Sequence, residues 1–317
     1  MQGKGYKRSL LINKETSFGV TDSLSSVKMP FFSCMIAEKK DLVNSELINS
    51  NRIRSKPING QIDVAGSITI PLDVNYIGYW LEIAIGKSIS QENETGIYKH
   101  VFIPSNLQNS LSIEHGLKNP NHYSLFNGVK INSMSFEFGD NQELKSSIDV
   151  LGKEEIVSTN SIGDTVMPVE HDFIPFYIVN AGIKLNNSVV ANVTKCTINI
   201  NNNLDGNIRT IGSGSKRHDI SEGFFDLSGS ITAMFESQEY WLSAKNSTES
   251  SLEVVLQKDT SSLTIIIPSL VYEQGQTLDG QGGLYVDLPF KMFKNNNDFQ
   301  IKLVNNVEKY FNSQQMI

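Results

Sequence analysis

Cysteine is nearly absent from this 317-residue chain, and so is any long apolar run. Two cysteines, Cys34 and Cys196, cannot frame a disulfide scaffold. Neither lies in a CxxC or beside a histidine at metal-ligand spacing, so both read as small buried hydrophobes. The longest apolar stretches, such as Ile83-Ala84-Ile85 and Ile265-Ile266-Ile267-Pro268, fall far short of the ~20 residues a membrane helix needs. After the opening Met1 to Arg8, only Leu10-Leu11-Ile12 precedes Asn13, which is no secretory h-region. The expectation is a chain made and kept in a cytosol unless it leaves as part of something larger. Basic tracts are missing too: Lys+Arg 27 against Asp+Glu 34 gives a net charge of −7. That argues against reading nucleic-acid sequence, which takes clustered Lys and Arg, though not against letting nucleic acid slide past.

Catalytic signatures are equally scarce. The five histidines, His100, His115, His122, His171 and His218, form no HxxxH, HExxH or HxH. Glu114-His115 and His218-Asp219 set acid beside imidazole, but strand neighbours point to opposite faces, so solvated or locally hydrogen-bonded side chains are expected. Gly212-Ser213-Gly214-Ser215 lacks the spacing of a nucleophile elbow and reads as a flexible turn. Gly280-Gln281-Gly282-Gly283 reads as a hairpin or bulge, and Glu154-Glu155 as solvated edge charges. No phosphate-cradling glycine loop opens a helix. No catalytic, cofactor-binding or metal-ligating residue is therefore assigned, and the chain is expected to be no enzyme and to take no cofactor.

What is present is alternation. Ile62 to Ile70, Val129 to Phe138 and Thr197 to Asn201 place apolar residues on every second position, the period of a strand with one face on a core. Leu252 to Leu256 and Leu263 to Ile267 are further strands, the latter apolar on both faces. One strong helical signal interrupts them: Ile77, Trp80, Leu81, Ala84 and Ile85 form a single stripe, with Asp73 or Asn75 to cap its start and Gly86 its end. A shorter helix is predicted from Ser237 through Tyr240-Trp241-Leu242 to Ala244.

The two helices belong to a repeat. Val64-Ala65-Gly66-Ser67-Ile68-Thr69 returns as Leu227-Ser228-Gly229-Ser230-Ile231-Thr232, and Tyr79-Trp80-Leu81 returns at nearly the same offset as Tyr240-Trp241-Leu242. Ser110-Leu111-Ser112-Ile113-Glu114 is echoed at a shorter offset by Ser262-Leu263-Thr264-Ile265-Ile266, and Ser45 to Ser50 weakly by Thr197 to Leu204. Each Gly-Ser pair is expected to mark a bulge or bend that turns the strand toward its helix, and each Trp to anchor that helix. A mainly β chain of two tandem units follows: 1–157 with an N-terminal arm, a polar linker at 158–170, and 171–317 with a C-terminal arm. The stretches from Met1 to about Ser25 and from Asn306 to Ile317 lack strand alternation and read as arms reaching neighbours.

Asp63 to Ile70, the helix ending Leu81 to Gly86, His100-Val101-Phe102-Ile103-Pro104, Ser110 to Glu114 and Gly128 to Met134 together resemble the tail tube proteins of tailed bacteriophages, closest to the long family in which the tube domain is doubled. The resemblance covers roughly Ser45 to Gln300. It implies two β-sandwich or barrel-like tube domains, each with one short helix. Three chains would form a pseudo-sixfold ring, stacked into a conduit whose lumen passes phage DNA without sequence-specific binding. It further implies a virion tail component assembled in the bacterial host cytoplasm. Its partners would be other copies of itself in ring and stacked-ring contacts, with tail terminator, tape measure and distal tail proteins. The second unit lacks a clear counterpart of Gly86 and of the His-Val-Phe-Ile-Pro segment. The competing readings are a two-domain β-sandwich adhesin or tail-tip receptor binder, and a β-rich hydrolase.

Overall fold

A computed structural model describes all residues except 1–2, 22–25, 49, 51, 108, 140–142, 179–180, 236–237, 274–275, 279–282, 296–297, 312–313 and 316–317. The first half runs β1 (Arg8–Lys14), β2 (Val27–Lys28), β3 (Ser33–Cys34), β4 (Ala37–Val43), β5 (Ile58–Pro71), α1 (Ile77–Ile85), β6 (Gly86–Glu94), β7 (Ile97–Pro104), β8 (Leu111–Leu117), β9 (His122–Gly139), β10 (Lys145–Gly152) and β11 (Glu154–Ser158). The second runs β12 (Ala181–Leu185), β13 (Ser188–Val190), β14 (Val193–Asn201), β15 (Asp226–Met234), α2 (Glu239–Lys245), β16 (Glu249–Lys258), β17 (Ser261–Tyr272), β18 (Gln276–Leu278), β19 (Tyr285–Met292), β20 (Gln300–Asn305) and β21 (Gln314–Gln315). The chain is mainly β, as its alternation dictates.

Antiparallel pairing sets the strand order β4-β5-β10-β9-β14-β15-β19-β18 in one layer. Its core face carries residues such as Ile68, Met134, Ile148, Ile198 and Leu288, all buried. The opposite face carries Ser135, Ser147, Thr197, Asn199, Ser228 and Ser230, half-buried or exposed. The same continuous sheet extends through two further runs, β2-β1-β8-β9-β11 and β13-β12-β16-β17-β20-β7-β6-β21. Strand β9 belongs to two of these runs, changing partners around Gly128, whose φ of 63° is open to glycine at little cost. The buried apolar side chains form one contiguous cluster drawn from both halves.

The pairing of the second half repeats that of the first. The order β12-β16-β17-β20 matches β1-β8-β9-β11, and β14-β15-β19-β18 matches β4-β5-β10-β9. Register agrees as well as order. Cys34 stands opposite Ile68, and Cys196 opposite Ile231, so the two cysteines occupy corresponding places. The β8–β9 ladder shifts register between Leu111 and Ile113, and the β16–β17 ladder does so between Ser250 and Leu252. Position Ile113 therefore corresponds to Leu252. This corrects the echo that matched Ile113 with Ile265, which set β8 against β17, one strand too far. The β6–β7 hairpin follows α1 with no counterpart between α2 and β16, and its length accounts for the shorter offset beyond the helices. Likewise the counterpart of β14 is Ser33 to Lys39, not Ser45 to Ser50.

Gly66 and Gly229 sit at no bulge: β5–β10 and β15–β19 run through them in unbroken register. Their role is close approach. A Cβ on Gly66 would lie 2.2 Å from the Met35 carbonyl oxygen, and one on Gly229 2.1 Å from that of Thr197. Each glycine lets the preceding strand lie against it.

Helix α1 is started by Asp73, whose Oδ1 accepts from the N–H groups of Asn75 (2.7 Å) and Tyr76 (3.0 Å), and is ended by Gly86 at φ 107°. Its apolar stripe implied one buried face, yet every residue of the helix is buried. The second face is covered by Tyr310 of the C-terminal segment, which fits because Gly78 offers no side chain there. Trp80 is 1% exposed, whereas Trp241 is only partly buried, so the two anchors differ. The expected start of α2 at Ser237 lies outside the described residues. Residues 8–14 and 306–310, expected in arms, pack on their own chain: Leu10, Leu11 and Ile12 are buried in β1, and Val307 and Tyr310 are buried too. In β17, Leu263, Ile265 and Ile267 are buried while Ile266 stays half-exposed, so only one face is core.

Candidate assembly surfaces

Two joints hold the halves together. In the first, β9 lies antiparallel along β14, Gly139 opposite Lys195 through Ser133 opposite Asn201. Lys195 pairs with Glu137 across it at 2.5 Å. The connection between β14 and β15 then reaches over the first half. Arg217 donates to the carbonyls of Val64 (2.8 Å), Gly152 (2.6 Å) and Gly206 (2.7 Å), and to Asp63 Oδ1 at 2.9 Å. Arg209 binds the same carboxylate oxygen, and Lys216 binds Glu154. Asn202 Nδ2 donates to the Ala84 and Ile131 carbonyls, both at 2.9 Å. Lys130 Nζ donates to the Ile220 carbonyl at 2.6 Å. Carbonyls along the joint are thus met by Arg, Lys and Asn donors; leaving a buried one unsatisfied would cost ~1–3 kcal/mol.

In the second joint, β7 pairs with β20, Phe102 opposite Ile301. His100 is fully buried in it. Its Nε2 faces the Val307 carbonyl at 2.9 Å and Asn305 Oδ1 at 3.2 Å, two acceptors that fix the proton on Nε2. Nδ1 then accepts from Ser90 Oγ at 2.7 Å. Burial holds this imidazole below its usual pKa, in the neutral form that arrangement needs. Asn305 Nδ2 donates onward to the Val74 carbonyl and Tyr310 Oη, both at 2.7 Å. This serine–histidine–asparagine chain has the residue types of a hydrolase site, but no solvent reaches it. It ties the β6–β7 hairpin to the C-terminal segment.

The remaining sequence-flagged residues fall apart spatially. His115 packs edge-on against Phe31, while Glu114, on the other face of β8, accepts from Ser161 Oγ (2.5 Å) and the Ile162 N–H (2.7 Å). That carboxylate pins the segment expected as a polar linker, which carries a 3-10 turn at Ile162–Asp164. His122 and His218 are exposed, as expected of solvated side chains. His171 Nε2 lies 2.9 Å from Tyr79 Oη, beside a shallow concavity lined also by Glu170, Asp172 and Lys309. Glu154 is an ion-paired partner of Lys216 rather than a solvated charge, and the Glu155 N–H donates to Glu38 Oε2 at 3.0 Å. Burial pushes the Cys196 thiol up to about 12 and raises Cys34, so both are inert hydrophobes. Gly280 to Gly282 lie outside the described residues. Among the described residues no three His, Cys, Asp or Glu cluster as metal ligands, and no helix is long and apolar enough to cross a membrane.

The surfaces left open are strand edges. Among the described residues, β3 and β4 pair only with β5, and β18 only with β19. These are the two ends of the eight-strand layer. Beside the first, Met35 is 71% exposed, and after β4 come Leu47 and Ile48 at 69% and 96%. Such edges and apolar tips in a monomer invite association. Sequence reasoning missed Arg209, Arg217 and His100 as joint residues. The nearly equal spacing of the cysteines, the tryptophans and the Gly-Ser pairs would have pointed to the joint, because it aligns β14 with Ser33 to Lys39.

A protein-family model described as phage tail tube protein matches residues 5–292. No curated protein matches the chain.

Proposed function

The chain belongs to the phage tail tube protein family, so it is a structural component of a virion tail that assembles with itself and other tail proteins, and on that premise we propose how its subunits close. Three chains form a pseudo-sixfold ring, each contributing two tube units, and the rings stack into a hollow conduit through which DNA passes into the host. Particles are assembled in the host cytoplasm, with tail terminator, tape measure and distal tail proteins as further partners. The units are 1–157 and 171–317, joined through 158–170.

One observation carries this reading: the eight-strand layer is a four-strand pattern written twice, with unlike open edges at its two ends. A surface that joins head to tail closes into a ring when the rotation allows it. The internal β9–β14 joint already sets the rotation between one unit and the next.

The solvent-side face of that layer supplies the lumen. It is rich in Ser, Thr and Asn; on it Lys195 pairs with Glu137, and the Ser133 hydroxyl donates to Asp149 (2.8 Å). A polar wall without a clustered basic tract gives phosphates little salt-dependent grip, so DNA slides. Negative-stain electron microscopy with mass measurement tests the proposal. Hollow tubes built of three-chain rings are expected; a chain that stays monomeric at every concentration, or rings of six chains, would overturn it.

A further inference from the structure

We propose that the first half of one chain docks on the second half of a second copy of this chain by the same contacts that join the two halves internally, with Arg52 and Arg54 gripping Asp226 of the second copy. This rests on the ring reading above and names the residues that close it.

The internal joint is the template. There the connection after β14 brings Arg209 and Arg217 to one carboxylate, Asp63, and the Ile62 N–H donates to the Ser215 carbonyl at 3.0 Å. The first half has the same parts, unspent. The connection after β4 carries Arg52, Arg54 and Lys56, exposed, and no ion pair involves them among the described residues. It has one acidic residue, Glu46, and so is basic overall. The second half has the matching acid. Asp226 stands three residues before Gly229, as Asp63 stands three before Gly66, and each glycine meets the carbonyl of its neighbouring strand. Asp226 is exposed and accepts from Asn203 Nδ2 at 2.7 Å, with no ion pair among the described residues.

The strand edges agree in register. Asn199 opposite Ser135 in the internal joint corresponds to Ala37 opposite Gln276. Ile36 then meets Thr277, and Met35 meets Leu278, of the second copy. Exposed Leu47 and Ile48 become buried as the connection folds over the second copy. The β6–β7 hairpin, present once per chain, straps only the internal joint. The intersubunit joint is therefore the weaker of the two, and rings should fall into intact chains rather than split within them.

Charge reversal tests this on the full chain. Asp226→Arg, and separately Arg52→Glu with Arg54→Glu, should each cut the polymerised fraction at least tenfold in sedimentation while leaving far-ultraviolet circular dichroism unchanged. Combining all three should restore tubes. Variants that polymerise like wild type, or a combination that stays monomeric while folded, would overturn the joint and leave the tube reading standing. A wild-type chain that never self-associates overturns both. Should a reversal fail to fold, Ala37→Cys with Gln276→Cys replaces it, since opposed antiparallel residues lie within disulfide range. Oxidised assemblies should then give covalent trimers in denaturing gels, and Ala37→Cys with Thr277→Cys should give far fewer. Equal yields from the two pairs would refute the register.

Discussion

Replacing Gly66 or Gly229 by alanine probes the strand contact that the two halves share. An added Cβ at Gly229 would lie 2.1 Å from the Thr197 carbonyl oxygen and 2.5 Å from Phe290 Cζ; at Gly66 it would lie 2.2 Å from the Met35 oxygen and 2.6 Å from Ile36 Cα. The obstacles include backbone on a paired strand, so no side-chain rotation relieves them. Normal contact requires the strands to part by about 1 Å, given ~3.5 Å between non-bonded heavy atoms. Ladder hydrogen bonds of about 2.9 Å then stretch past their useful range. Two such bonds at about 1 kcal/mol each, with overpacking of ~1–3 kcal/mol, give a loss of about 3–5 kcal/mol for either variant. That is a large share of the ~5–15 kcal/mol typical of a folded domain. Denaturant unfolding followed by tryptophan fluorescence and circular dichroism measures it. Gly182→Ala is the control, because nothing lies within 4 Å of its added Cβ, and it should stay within about 0.5 kcal/mol of wild type. If either glycine variant matches that control, the close-approach reasoning fails; if only one is destabilised, the correspondence between the halves fails with it.

Three further outcomes are expected. Trp80→Ala should destabilise by about 3–5 kcal/mol, the range for a large buried aromatic, and Trp241→Ala by clearly less, because Trp241 is only partly buried; equal losses in unfolding free energy would contradict the packing. Burial raises the Asp73 carboxyl to about 6 against hydrogen bonds from Asn75, Tyr76 and Ile174, so the folded state holds its proton more tightly than the unfolded chain. Its contribution to stability is therefore full below pH ~4 and falls as pH rises toward about 6. Asp73→Asn should flatten that segment of the stability–pH curve, and an unchanged slope would count against it. Arg217→Ala should cost about 2–3 kcal/mol by removing donors from the Val64 and Gly152 carbonyls, and should do so without changing the fold seen by circular dichroism.

Local chemistry was written in the sequence. Period-two alternation gives the strands around Ile68, Phe136 and Ile198, because a pleated chain sends successive side chains to opposite faces whatever lies beyond them. The α1 stripe, its Asp73 start and its Gly86 end are equally local. So is the repeat of Gly66 and Gly229, since matching environments keep matching residues. The lack of catalytic spacing and of basic tracts is likewise a property of the chain itself.

Tertiary structure decided what no local pattern carries. Pairing β9 with β14, or β7 with β20, depends on which edges meet, and residues so far apart along the chain have no short-range signal for that. No pattern in the sequence marks His100 as buried beneath β20 and Asn305, or Arg217 as the donor to the carbonyls of Val64 and Gly152. The one-strand error in the repeat arose because an inserted hairpin leaves alternation unchanged on either side, so only the hydrogen-bond register exposes it. Sequence thus determined what each segment is, through backbone and side-chain preferences acting over a few residues. The fold alone decided which edges stay unpaired among the described residues, because an edge is open only when every other strand has taken its partner.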